Sequence, residues 1–154
     1  LRHVLDAFSL KLWWKFRLGQ SLWAEFMHLK YNANLHPCYS KACPGQSATW
    51  RRLLDGQVAA ERYLRWVVGS GNSSFWHDNW LGSGRLCQQV EIFQEQPVAD
   101  FVVQGCWDVQ RLSKVLPTHY VQRVLEVAPP SSDQGDKMVL APSTSREFSI
   151  ASAY

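Results

Sequence analysis

The chain has 154 residues and 17.7 kDa, 46% of them hydrophobic, with 16 Lys and Arg against 13 Asp and Glu and 8 Trp. That size suits one domain or a piece of a larger one; the apolar fraction is too high and the net charge of +3 too small for a disordered tail, and no apolar run approaches the roughly 18 residues of a membrane span. Cys38, Cys43, Cys87 and Cys106 are few and irregularly spaced and no signal peptide opens the sequence, which argues for a reducing interior rather than a disulfide-stapled secreted domain.

Leu1, Leu5, Phe8, Leu12 and Phe16 share one face at helical spacing, so a first helix is expected to about Leu18, with Gly19 breaking it. Ser21 is placed to cap a second helix whose apolar stripe is Leu22, Phe26 and Leu29, ending near Tyr31. Asn32 to Gln46 reads as a surface loop, since Pro37 and Pro44 each remove an amide donor. Ser47 caps a third helix carrying Trp50, Leu53, Leu54 and Val58, interrupted by Asp55-Gly56. Leu64 to Val68 and Ser73 to His77, joined by Gly69-Ser70-Gly71-Asn72, read as a β-hairpin. Further on, Asp100-Phe101-Val102 is a short element, Asp108 caps a helix to Leu116, and Val121, Val124 and Leu125 mark another helix. Pro129 to Gly135 reads as a loop too polar to pack, and Lys137 to Ala141 and Glu147 to Ile150 as strands.

The expected fold class is α+β: N-terminal helices packed on a Trp-rich hairpin, then a weaker mixed segment. The expected divisions are 1–84 (basic, Trp-rich helices and hairpin), 85–128 (mixed short helices) and 129–154 (linker and hairpin). Charge is unevenly distributed along the chain. Residues 1–65 hold ten basic residues against four acidic ones, and the rest of the chain holds six against nine, so the small total is a cancellation of unlike parts. Seven of the eight Trp fall before residue 81, interleaved with the basic residues, a pattern compatible with nucleic-acid binding.

The run Ala7-Phe8-Ser9-Leu10-Lys11-Leu12-Trp13-Trp14-Lys15-Phe16-Arg17 is followed in order by Ser21-Leu22-Trp23-Ala24, Lys30-Tyr31, His36-Pro37 and Ser47-Ala48-Thr49-Trp50-Arg51-Arg52-Leu53-Leu54. After these comes Arg65-Trp66-Val67-Val68-Gly69-Ser70-Gly71-Asn72-Ser73-Ser74-Phe75-Trp76-His77-Asp78-Asn79-Trp80-Leu81-Gly82. Together with Asp136 to Leu140 and Phe148 to Tyr154, these segments resemble plant non-LTR (LINE-type) retrotransposon reverse-transcriptase proteins, often described as ribonuclease H-like. The resemblance spans nearly the whole chain and implies the region between the polymerase domain and a zinc-binding segment, within a parent RNA-directed DNA polymerase. The start at Leu1 and the apolar run at Ile150–Tyr154 fit a segment of a longer reading frame. Two positions depart from the family pattern: Leu140 replaces a usual Trp, which weakens a last hairpin if the site is buried, and Arg146 replaces a usual Gly.

Polymerase chemistry needs clustered carboxylates for two metal ions, and the reverse-transcriptase aromatic-Ala-Asp-Asp motif is absent. Asp78, Asp100, Asp108, Asp133 and Asp136 sit at turn or cap positions instead of converging in pattern. His36, Cys38 and Cys43 could supply three zinc ligands, but the paired spacing of a structural site is missing. Gly69-x-Gly71 lacks the strand-to-helix setting of a phosphate loop. No catalytic residue, metal or cofactor is therefore assigned. Lys11, Lys15, Arg17, Arg51, Arg52, Arg62 and Arg65 are the candidate phosphate contacts to RNA or an RNA/DNA hybrid, with no membrane and no small-molecule substrate expected. Trp66, Gly69, Gly71, Trp76, Asp78 and Trp80 form a structural motif in which Asp78 and Asn79 fix a turn; Trp13, Trp23, Trp50, Trp66, Trp76 and Trp80 are expected in a core joining helices to hairpin. The resulting expectation is a non-catalytic connector or thumb-like fragment; no localisation is assigned, and an intracellular, nuclear place is compatible with the resemblance. Two alternatives stand beside it: a Trp-rich protein-interaction module using the Asn32 to Gln46 loop, and a degenerate transposon fragment without cellular function.

Overall fold

No helix breaker interrupts the chain between Arg2 and Leu18, and these residues form α1. Gly19 ends it by taking φ +64° and returning its amide to the carbonyls of Lys15 and Phe16. The computed structural model describes residues 2–33, 35–92, 94–131 and 133–141, with side chains from Ala7 onward. It is an α+β structure divided into two compact units, one comprising the described residues to Tyr63 together with Ala141, the other Leu64–Leu140.

In the first unit Ser21 caps α2 (Leu22–Tyr31) by accepting the Ala24 amide at 3.2 Å, and Ser47 caps α3 (Ala48–Asp55) by accepting the Trp50 amide at 3.2 Å. Gly56 splits the expected third helix, leaving α4 (Gln57–Glu61) as a separate turn and Val58 exposed. Helix α1 packs on α2, α3 and α4 around Trp13, Phe16, Trp50 and Leu53, all fully buried. Phe16 stacks on His28 at 4.1 Å and Trp50 on Tyr31 at 4.7 Å. The His28 Nε2 donates to the Phe16 carbonyl at 2.9 Å, tying α2 to the end of α1.

The expected α1 stripe is buried at Phe16 and half-buried at Leu12, whereas the expected α2 stripe faces out. On α1 the buried side is Trp13, Phe16 and Arg17, while Phe8 is half exposed and Leu1 and Leu5 lie outside the described side chains. On α2 the buried residues are Ala24 and Met27, and Leu22, Phe26 and Leu29 face out. The aromatic contacts of His28 and Tyr31 set the rotation of this helix, overriding the apolar count on its other side. In the loop after α2, Asn32 and Ser40 are buried: Asn32 donates to the Leu35 carbonyl at 2.6 Å and accepts the Ser40 hydroxyl at 2.5 Å.

The second unit corrects the hairpin. Leu64–Val67 forms β1 as expected, but its antiparallel partner is β4 (Lys137–Leu140), with Leu64 opposite Leu140 and Val67 opposite Lys137. Ser73 to His77 is not a strand paired with β1; the backbone of residues 71–75 bonds instead to 96–99. Phe75 donates to Gln96, Val98 to Ser73 and Ala99 to Gly71, after which Asp78 curls the chain by accepting the Ser74 amide at 2.8 Å. The candidate strand at 147–150 and Arg146 lie outside the described residues. Leu140 is 39% exposed, so the packing loss expected for a buried Trp position does not arise there.

The segment expected to be weak supplies much of this unit's core. Around Phe75, Trp76 and Trp80 are packed Leu86, Val98, Phe101, Leu112, Leu116, Val121 and Val124. Phe101 stacks on Phe75 at 3.8 Å, and Trp107, in the second strand of a short β2–β3 pair (Val102–Val103, Cys106–Trp107), stacks on Trp80 at 5.6 Å. A single turn, α5 (Cys87–Val90), is followed later by α6 (Val109–Val115), capped by Asp108 as expected, and by α7 (Thr118–Leu125). The 129–135 loop is not wholly unpacked, since Pro130 is buried.

Candidate nucleic-acid interface and the signature loop

The basic residues of the helical unit divide by burial. Lys11 and Lys15 are exposed one turn apart on α1, Arg51 and Arg52 are exposed on α3, and Arg62 is exposed just beyond α4. Lys30 and Lys41, which charge counting alone did not single out, are exposed in the same unit. Arg51 also donates to the Gln46 carbonyl at 3.0 Å, holding its guanidinium over the start of α3.

Arg17 goes the other way. Its Nε lies 2.8 Å from Oε1 of Glu61, and the two side chains are 4% and 5% exposed, so the ion pair is internal and the guanidinium is not presented to an outside phosphate. The same carboxylate oxygen accepts the Trp13 indole N–H at 2.7 Å, joining α1 to α4 through one acceptor. Withdrawing Arg17 and Glu61 together leaves Glu25 and Asp55 as the exposed acids facing seven exposed bases among the described side chains from residue 7 to residue 63. The surface of this unit is therefore more one-sided than its composition.

Arg65, on β1 in the other unit, is exposed, and a Cβ added to Gly82 would lie 3.2 Å from its guanidinium carbon, so its head rests on the 79–84 turn. That turn is organised by Asn79, which accepts the amides of Gly82 and Gly84 at 3.0 and 3.1 Å and donates to the Leu64 carbonyl at 3.1 Å. Asp78 and Asn79 thus hold the turn in the manner their types imply. Trp76 and Trp80 are buried, with indole N–H groups bonded to Gln96 and the Phe75 carbonyl, and Trp66 is half-buried against the same core.

Gly69 and Gly71 acquire a specific purpose. The carboxylate of Asp136, immediately before β4, accepts the amides of Gly69 at 2.7 Å, Gly71 at 2.9 Å and Ser73 at 2.6 Å, and the Ser73 hydroxyl at 2.6 Å. Partial burial opposes the charged form, but the Ser73 hydroxyl and then the Ser73, Gly71 and Gly69 amides outweigh it and hold this carboxyl below its ordinary range. The amide cradle that could resemble a phosphate loop is filled by the chain's own carboxylate. Glycine is required here on steric grounds: a Cβ at Gly69 would collide with the Gln134 carbonyl oxygen, and one at Gly71, where φ is +85°, would sit 2.9 Å from the Ala99 nitrogen. Gly71→Ala is expected to destabilise the second unit by more than about 1 kcal/mol, read as a lowered thermal midpoint.

Glu61 is a polar residue that the sequence did not single out, and Asp136, placed by the sequence at a turn or cap position, holds the turn of residues 69–73. Each acts through partners more than forty residues away in the chain, so no local motif announces its role. The remaining acids do not converge: Asp108 caps α6 and Asp78 closes its turn. His36 Nδ1 accepts the Cys38 amide at 3.2 Å, and no group of three or more His, Cys, Asp or Glu side chains is gathered for a metal among the described residues. No helix among them is long and apolar enough to cross a membrane. The chain matches no family model, no curated protein and no solved structure.

Proposed function

We propose that this chain is a non-catalytic, thumb-like part of a LINE-type retrotransposon reverse transcriptase that holds template and primer by their phosphates. The observation that carries the reading is the separation of roles in the helical unit. Lys11, Lys15, Arg51, Arg52 and Arg62 are exposed, whereas Trp13 and Trp50 are fully buried and Arg17 is neutralised by Glu61. Such a surface grips a polyanion by charge and offers none of its buried Trp rings for base stacking, so binding without strong sequence preference follows. The order of family-like segments along the sequence supports the same reading.

The test is binding of a labelled single-stranded RNA and of an RNA/DNA hybrid to the purified chain at low salt. Arg51→Glu/Arg52→Glu is expected to weaken binding by on the order of tenfold or more without changing the far-ultraviolet circular dichroism, because both side chains are exposed. Unchanged affinity removes these residues from the interface.

A further inference from the structure

We propose that the outer face of α2 is a self-association surface, on which two copies of the chain pair their α2 helices in parallel about a two-fold axis. Leu22, Phe26 and Leu29 are 85%, 56% and 78% exposed and follow one another at spacings of four and three, the seam of a two-stranded helical pair. Their exposure is not a matter of a loosely rotated helix. The opposite face is fixed by buried Ala24 and Met27, by the His28 bond to the Phe16 carbonyl, and by Tyr31 stacked on Trp50. An ordered helix that aims three large apolar side chains at solvent is unusual for a surface without a partner.

The charges beside the seam select a second copy as the occupant. With Phe26 at a central seam position, Glu25 flanks it on one side and Lys30 on the other, both exposed. In a parallel pair a flanking residue of one helix meets the residue five positions later on its partner, so Glu25 meets Lys30 of the partner subunit, and two-fold symmetry repeats the pair. An antiparallel pair brings like flanks together, Glu25 toward Glu25 and Lys30 toward Lys30, and is disfavoured. The Lys30 ammonium already lies 5.4 Å from the Phe26 ring, at the edge of the seam it would close. Since α2 has ten residues, the contact is short, below the roughly 1,000 Å² of a durable interface, and the dimer is expected to be weak and concentration-dependent.

The experiment is sedimentation equilibrium of the full chain over a wide concentration range. The expected result is a monomer–dimer equilibrium abolished by Leu29→Glu, weakened about tenfold by Glu25→Lys or Lys30→Glu alone, and restored when both reversals are combined. These residues are exposed, so retained circular dichroism separates loss of pairing from loss of fold. A chain monomeric at every concentration overturns the proposal, as does a dimer indifferent to Leu29→Glu. A dimer lost on Leu29→Glu but unaffected by the single charge reversals also overturns it, because its pairing is then not the parallel one. Nucleic-acid affinity does not enter the readout, so this result is independent of the phosphate-binding reading.

Discussion

Glu61→Ala is expected to destabilise the helical unit by about 3 to 5 kcal/mol, the cost typical of stripping one partner from a buried ion pair. The substitution takes from the Arg17 guanidinium, whose side chain is 4% exposed, its carboxylate partner and from the Trp13 indole N–H its acceptor, since one oxygen of Glu61 serves both. Urea denaturation followed by circular dichroism measures the effect. Removing both charges with similar volume, as in Arg17→Met/Glu61→Leu, is expected to recover much of the loss, because the desolvation cost of the pair disappears with its attraction. A Glu61→Ala variant as stable as the parent would mean that the internal pair contributes nothing to holding α1 on α4.

Asp136→Ala comes next, at about 3 kcal/mol, because it leaves three backbone amides and a hydroxyl around an empty centre. Acid should reproduce part of this loss. The folded-state carboxyl titrates below its unfolded value of about 3.9, so the folded form favours the ionised group. Its contribution is complete above the unfolded value, declines as the pH falls toward the folded value, and is gone below that. The stability difference between the parent chain and Asp136→Asn should therefore be large at pH 7 and shrink below about pH 4. A difference that stays constant across this range would show that the charge of Asp136 does not hold the loop.

Local chemistry was legible where the interaction is local. Ser21, Ser47 and Asp108 cap the helices they precede, and Gly19 ends α1, because a cap needs only its next three residues to form. The misread hairpin has the opposite cause. Leu64–Val67 and 73–77 have strand-like composition and a suitable turn between them, but the turn's amides converge on Asp136, which belongs to the approach to β4. A carboxylate 63 to 67 residues downstream thus takes the loop out of hairpin geometry. The weight of the 85–128 segment was hidden for a related reason: Leu86, Val98, Phe101 and Leu112 come from elements too short to show a period, yet all four are buried against Trp76 and Trp80.

The candidate interface was partly legible by the same rule. Exposure of Lys11, Lys15, Arg51, Arg52 and Arg62 follows from their places on or beside helices whose other faces carry the aromatic core. Arg17 lies on α1 like Lys11 and Lys15, but its neighbour Trp13 and the carboxylate of Glu61 draw it inward. No charge count distinguishes it from them.

The most direct measurement is the salt dependence of single-stranded RNA binding by the intact chain and by Arg51→Glu/Arg52→Glu. A surface that grips phosphates gives a linear fall of log affinity with log salt, steep in the parent and shallower by about 1.4 in the variant, from about 0.7 per lost phosphate contact. Absence of binding at low salt, or a slope near zero in the parent, would contradict it.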